Sequence, residues 1–358
     1  MASSISFSAG ERVGKHELIE FIGKGGYGQV WLANDLNLDH QFAVKFLDQA
    51  EAAVDEHLRE AKLGIQLKNP NLVRVHYADA VEHGAHKLVA IAMDYHPRKS
   101  LVHNLEPAQM IRLPNVLKYS IEVLRGLGVL HGLGMIHGDV KPSNILINGY
   151  GQAALTDYGI SVHSPSGGPV PLRGHYGPHV APEMLLHNAV LPQTDIYQLG
   201  MTIYRLLSGT EVIKRKKRDL GDGAYYNLVT QGKVIGKNEW PPHIPRKVRS
   251  VLTRAMAVDP ADRYETPLEM QRALEALDYP GYWIATPNGM EGHTERHVYR
   301  YKIDHTDGKV FNFVGYCLHR KTGHENRVSN YCSRDLNRTD AMDIQHRFMQ
   351  YVVTGKEH

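Results

Sequence analysis

His137-Gly138-Asp139-Val140-Lys141-Pro142-Ser143-Asn144 gathers a carboxylate, an ammonium and a carboxamide into one short run near the middle of the chain. The sequence on its two sides has unlike character. Just upstream, apolar residues recur at three- and four-residue steps over 116–130, which predicts a helix. Downstream, the spacing predicts a more buried helix over 195–207 and amphipathic helices over 248–257 and 268–277. Pro241-Pro242 and Pro245 mark a loop before the last pair. Before Tyr95 the pattern is rich in strands instead. Leu18-Ile19-Glu20-Phe21-Ile22, Gln29-Val30-Trp31-Leu32-Ala33 and Phe42-Ala43-Val44-Lys45-Phe46-Leu47 each read as a strand. Two more are expected around 72–77 and 87–93, and residues 55–67 carry the one helical spacing of this half.

The bulk numbers bound the answer. A chain of 358 residues, 42% hydrophobic and 22% charged, has the composition of a soluble globular protein with ample apolar area for real cores. The net charge of +3 gives no reason to expect a nucleic-acid or membrane partner. Two cysteines, Cys317 and Cys332, cannot supply a disulfide framework, which points to a reducing compartment. The Ser-rich start lacks the basic-then-apolar layout of a signal peptide, and no run of about 18 apolar residues occurs. A cytoplasmic protein is the expectation.

Gly23-Lys24-Gly25-Gly26-Tyr27-Gly28 fits G-x-G-x-x-G, a spelling shared with dinucleotide-binding folds. In those folds the glycines open a helix whose N-terminus holds the pyrophosphate. Here they lie between two strand-like runs, so a hairpin loop is expected. Downstream stand Thr156-Asp157-Tyr158-Gly159 and Ala181-Pro182-Glu183.

Taken in order, these motifs resemble those of the eukaryotic-like (Hanks-type) Ser/Thr protein kinase family, over about residues 12 to 279. The resemblance implies an α+β, bilobal protein kinase fold. It has a small β-rich N-lobe with one key helix (12–94) and a larger, mainly helical C-lobe (95–279). Residues 1–11 would be a flexible N-terminus, and 280–358 a C-terminal extension of mixed or β character. Asp139 would accept or orient the proton of a substrate hydroxyl, Lys141 would neutralise the γ-phosphate, and Asn144 and Asp157 would bind Mg²⁺ (or Mn²⁺). Lys45 would reach the α- and β-phosphates of ATP, held by Glu60, with Glu56 one turn earlier as the alternative. Gly23, Lys24, Gly25, Gly26, Tyr27 and Gly28 would cover the phosphates. Val30, Ala43 and Leu146 would line the nucleotide pocket, with Met93, Asp94 and Tyr95 at the hinge. Glu183 would pair with Arg263, and Asp195 would anchor the backbone of the 137–144 loop.

Several positions depart from the family. Gly138 replaces an arginine that commonly holds a phosphorylated activation segment, so activity is expected not to depend on that switch. H-G-D also occurs in small-molecule phosphotransferases of the aminoglycoside type, but those generally lack Lys141, and A-P-E belongs to protein kinases. Tyr158 stands for phenylalanine, and Tyr176 for the threonine that braces the catalytic aspartate. Gly64 stands where an apolar residue usually packs the N-lobe helix, which predicts a mobile helix there or stabilisation from outside it. Ser161, Ser164 and Ser166 are candidate autophosphorylation sites.

The expected activity is transfer of the γ-phosphoryl group of Mg-ATP to Ser/Thr hydroxyls of protein substrates. The alternatives are a pseudokinase scaffold and a small-molecule kinase. The basic run Lys214-Arg215-Lys216-Lys217-Arg218 reads as a solvated loop. Cys317, His319, His324 and Cys332 fit no common zinc spacing. Past Pro280 a hairpin is predicted from 297–303 and 310–318, and the region as a whole would regulate the kinase domain or dock a partner.

Overall fold

A computed structural model describes residues 6–25, 28–48, 61–62, 64–84, 86–103, 109–157, 162–163, 168–171, 177–306 and 308–357. The N-terminal part is one antiparallel sheet of β1 (Arg12–Val13), β2 (His16–Gly25), β3 (Gly28–Asp35), β4 (His40–Asp48), β5 (Val75–His83) and β6 (His86–Met93). Its spatial order is β1-β2-β3-β4-β6-β5. The central strands are buried on both faces, and alternation sorts their side chains. Phe42, Val44 and Phe46 of β4 join Leu88, Ala90 and Ala92 of β6 in one cluster with Trp31. Leu47, Val89 and Ile91 point the other way, toward Ala61 and Val75. Ala43 and Lys45 share that second face.

One sequence expectation needs correction here. The strand expected around 72–77 begins only at Val75, because Leu72 bridges Leu155 in the C-terminal part, with Val73 N donating to Leu155 O at 2.9 Å. Gly64 lies close against β5. A Cβ there would lie 2.5 Å from Val75 Cγ2, so glycine lets the helical residues 64–66 lie directly against β5.

After Met93 helices dominate. In chain order come α1 (Leu113–Gly132), β7 (Met135–Ile136), β8 (Ile145–Ile147), β9 (Ala153–Leu155), β10 (Val162–His163), β11 (Val170–Pro171), α2 (Pro182–Leu186) and β12 (Ala189–Val190). Then follow α3 (Pro192–Ser208), α4 (Val212–Leu220), α5 (Asp222–Thr230), α6 (Arg246–Ala255) and α7 (Pro267–Glu275). The basic run expected as a loop is helix α4. Lys and Arg are good helix formers, and the charges find partners: Lys214 with Glu211, Lys216 with Glu239 and Lys217 with Asp222.

The last part is a five-stranded antiparallel meander, β13 (Gly281–Thr286), β14 (Gly289–Thr294), β15 (His297–Thr306), β16 (Val310–His319) and β17 (Glu325–Leu336), covered by α8 (Arg338–Thr354). The predicted hairpin is β15–β16, paired from His297↔His319 to Thr306↔Val310. Asn337 caps α8 through Asp340 N, and Gly355 at φ +68° ends it. Phe348 is fully buried among Trp283, Tyr299, Phe313 and Tyr331, with ring centroids 5.2–6.2 Å away. These aromatics and the core of the helical part form one cluster. Ile111, Leu113 and Leu207 meet Tyr282, Trp283 and Val353, and Gln350 Nε2 donates to Pro242 O at 2.7 Å. Among the described residues no helix is long and apolar enough to cross a membrane. None of their His, Cys, Asp and Glu side chains cluster in threes to hold a metal.

Candidate active site

The site is a cavity of about 390 Å³ between the N-terminal sheet and the helical part. Its roof comes from the glycine hairpin. Gly23 pairs with Val30 and Gly25 with Gly28 across β2 and β3, so the glycines turn a hairpin and open no helix. Gly26 and Tyr27 lie outside the described residues. Register carries the roof inward: Val30 stands opposite Lys45, and Ala43 opposite Met93. Gly23, Val30, Ala43, Lys45, Met93, Asp94, Tyr95 and Leu146 all line the cavity, as do Lys141, Asn144 and Asp157. Of the other residues expected there, Gly28 sits on the hairpin and is not among the described lining residues, and Lys24 pairs through its backbone with Gln29.

Lys45 is 6% exposed and donates from Nζ to Asp157 Oδ1 at 2.7 Å. The glutamates expected to hold it, Glu60 and Glu56, lie outside the described residues. Burial pushes the Asp157 carboxyl up. The Lys45 charge and hydrogen bond outweigh that, with His137 and Lys141 adding, so its pKa lies below the usual value. Asp157 also sits at φ +73°, a conformation a side-chain-bearing residue adopts only when its surroundings impose it.

The 137–144 loop folds its three polar groups onto one another. Lys141 Nζ donates to Asp139 Oδ2 at 2.6 Å. Asn144 Nδ2 donates to the same oxygen and to Asp139 O, both at 3.0 Å. Asp139 Oδ1 therefore has no hydrogen bond among the described residues. The His137 ring meets Thr156 O through Nε2 and Asp139 N through Nδ1, which ties the loop to the segment bearing Asp157.

Helix α3 supplies the loop's foundation. Asp195, fully buried, accepts His137 N at 2.9 Å and Gly138 N at 2.7 Å, and also takes His131 Nε2 at 2.7 Å. Gln198 accepts Val140 N and donates to Gly138 O, each at 2.8 Å, and Thr202 Oγ1 donates to Val140 O at 3.2 Å. Positions 195, 198 and 202 fall on one helical face. Sequence reasoning found Asp195 and missed Gln198 and Thr202. Both are polar residues at helical spacing inside a buried helix, a pattern that takes its meaning from the loop backbone set against it. Gly138 has a local reason as well. Its φ is +75°, where a side chain costs about 1–2 kcal/mol.

Below the loop, Arg263 grips Glu183 with two bonds of 2.9 and 2.7 Å, both side chains being buried. Thr194 Oγ1 donates to Glu183 Oε1 at 2.5 Å. Further along α3 is a buried cation that the sequence did not reveal. Arg205 donates to Thr210 O twice and to Nε2 of His179, which accepts as a neutral imidazole. Burial, then the charges of Arg205, Lys141 and Lys214, hold the His179 pKa well below its usual value. Tyr176 and the serines at 161, 164 and 166 lie outside the described residues, as does Tyr158.

The arrangement offers one carboxylate oxygen for a proton, an adjacent ammonium, and a second carboxylate with a carboxamide lining the same cavity. Asp157 Oδ2 has no hydrogen bond among the described residues, and Asn144 Oδ1 has only Ser143 Oγ at 3.4 Å. Hard oxygen donors of this kind fit Mg²⁺.

Comparison with known proteins identifies a family. The family described as protein kinase domain matches residues 16–276. The serine/threonine-protein kinase PknA of Mycobacterium tuberculosis is 31% identical over 274 residues, 74% of this chain and 61% of that protein. The serine/threonine-protein kinase PrkC of Bacillus subtilis is 28% identical over 273 residues, 74% of this chain and 41% of that protein. A protein named tyrosine-protein kinase MasK, from Myxococcus xanthus, is 28% identical over 289 residues, 74% of this chain and 43% of that one. The chain thus spans between two fifths and two thirds of these relatives' lengths.

Proposed function

Because the chain belongs to the protein kinase family, we propose that it transfers the γ-phosphoryl group of Mg-ATP to Ser/Thr hydroxyls of proteins, itself included. The observation that carries this reading is the hydrogen-bonded cluster of Asp139 with Lys141 and Asn144, two residues that line the same cavity as Lys45 and Asp157. Asp139 Oδ1 is the oxygen placed to take the hydroxyl proton, since Oδ2 is already shared by two donors. Lys141, holding that second oxygen, offers positive charge where charge gathers on the transferring group. Asn144 and Asp157 would hold the divalent cation, whose chemistry is to neutralise phosphate oxygens. Lys45 would orient the other phosphates, and Met93, Asp94 and Tyr95 would meet the base.

Gly138 supports activity that does not wait on a phosphorylated activation segment, because no arginine stands there to read one. The test is transfer from labelled ATP by the purified chain, with phosphoamino-acid analysis of the product. Label on Ser and Thr, lost in Asp157→Ala, is expected. Label only on Tyr, as the name of one relative would suggest, would overturn the acceptor assignment. ATP binding with no transfer would support the pseudokinase alternative, and phosphorylation of aminoglycosides alone the small-molecule one. Alanine at Ser161, Ser164 and Ser166 together should leave most of the rate intact.

A further inference from the structure

At the rim of the active-site cavity an ion pair joins the two lobes. Lys99, which lines the cavity just past the hinge residues, donates from Nζ to Glu20 Oε1 of β2 at 2.9 Å. The partners are 79 positions apart in sequence, and their side chains are 27% and 49% exposed. A pair this open to water contributes little to folding. Yet irregular backbone in each lobe brings the two side chains together.

Glu20 is aimed by a bulge. Strict alternation along β2 would put it on the face of Leu18, which packs with Trp31 and Phe46. The β2–β3 register shifts between them: Leu18 stands opposite Ala33, and Glu20 opposite Leu32. The extra residue, Ile19, thus turns Glu20 to the face that carries Val30, Ala43 and Lys45, which line the cavity. Lys99 is aimed by its own backbone, at φ +56°, a region that side-chain-bearing residues seldom adopt. Two bonds impose it: Lys99 N donates to His96 O, and Ile147 N to Lys99 O, each at 2.9 Å. Backbone irregularities of this kind gather at functional sites. Here one from each lobe serves the same contact.

We propose that Lys99 and Glu20 are positioning residues for the nucleotide: their ion pair holds β2 against the C-lobe and slows the nucleotide's exit. The pair acts on the cavity's roof rather than on the reacting phosphate. β2 runs on through Gly23 to Gly25, so a restraint at Glu20 is carried along one strand to the glycine hairpin. The proposal rests on the cavity holding ATP, and its readout is nucleotide release, which does not require phosphoryl transfer.

The test is stopped-flow release, from the full chain with Mg²⁺, of ADP carrying a fluorescent methylanthraniloyl group, chased with excess ATP. Release about two- to fivefold faster than wild type is expected in Glu20→Gln and in Lys99→Gln, the range an exposed ion pair supports. The doubly substituted chain should be no faster than either single variant, since the same interaction is lost in each. Glu20→Lys/Lys99→Glu restores opposite charges and should return release toward wild type, which the loss of an unrelated contact would not do. Lys99→Gly suits a backbone at φ +56° and should melt no lower than wild type, yet release as fast as Lys99→Gln. Release unchanged in both single variants, or a charge-swapped chain as fast as they are, would overturn this proposal alone. No binding of the labelled ADP by the unaltered chain would overturn the nucleotide reading of the cavity, and this proposal with it.

Discussion

Replacing Arg263 by leucine removes the guanidinium that neutralises Glu183 80 positions away in sequence. Both partners are out of solvent, at 0% and 3% exposure, so water cannot take over. Glu183 would keep only Thr194 Oγ1 among its described side-chain donors. The carbonyls of Gln193, Ala257 and Val258 would each lose a donor as well. Removing one member of a buried pair costs about 3–5 kcal/mol, a large part of the 5–15 kcal/mol typical of a whole domain. Urea unfolding followed by circular dichroism would measure it. The reasoning makes a second demand: Glu183→Gln/Arg263→Leu must be more stable than Arg263→Leu alone, because the double variant buries no unpaired charge. A loss below about 1 kcal/mol, or a double variant no better than the single, would refute it.

Three further outcomes are expected. Gly138→Ala should cost about 1–2 kcal/mol by unfolding, from its φ of +75°; an unchanged midpoint would contradict the local reading of that glycine. Phe348→Ala should cost about 3–5 kcal/mol and expose the face of the kinase helices that Trp283 and Val353 cover, detectable by dye binding. His243 lies near the same junction and donates to Leu207 O at 2.9 Å. Burial lowers its pKa, the Leu207 bond opposes that and Arg249 adds to it, leaving it at about 4. The unfolded chain therefore takes up the proton first as pH falls, and stability present above about 6.5 is lost between there and 4, by about 3 kcal/mol. His243→Gln should flatten that part of the stability profile.

How much of this could be read from the residues varied with the kind of signal. The 137–144 loop and the glycine hairpin were legible because their chemistry needs fixed residue types at short spacing. The Glu183–Arg263 pair came only through the family resemblance. Gln198 and Thr202 were not read, since polar residues in a buried helix acquire meaning only when a loop backbone is set against them. Leu72 and Val73 looked like the start of a strand because they are apolar, but their backbone bridges to Leu155 in the other lobe. A charge-based reading of 214–218 as a loop ignored the helix propensity of Lys and Arg. In the C-terminal region the β15–β16 alternation was visible. The glycines of β13 and β14 hid their pairing, and α8 was missed although Asn337, Asp340 and Gly355 mark its ends.

The most direct test compares Mg-ATP binding and phosphoryl transfer in Asp139→Asn. The substitution keeps the shape of a side chain that contacts Lys141 and Asn144 but removes the oxygen basicity assigned to Oδ1. Nucleotide affinity should stay close to wild type, with transfer slowed on the order of a hundredfold or more. Transfer at the wild-type rate would contradict it.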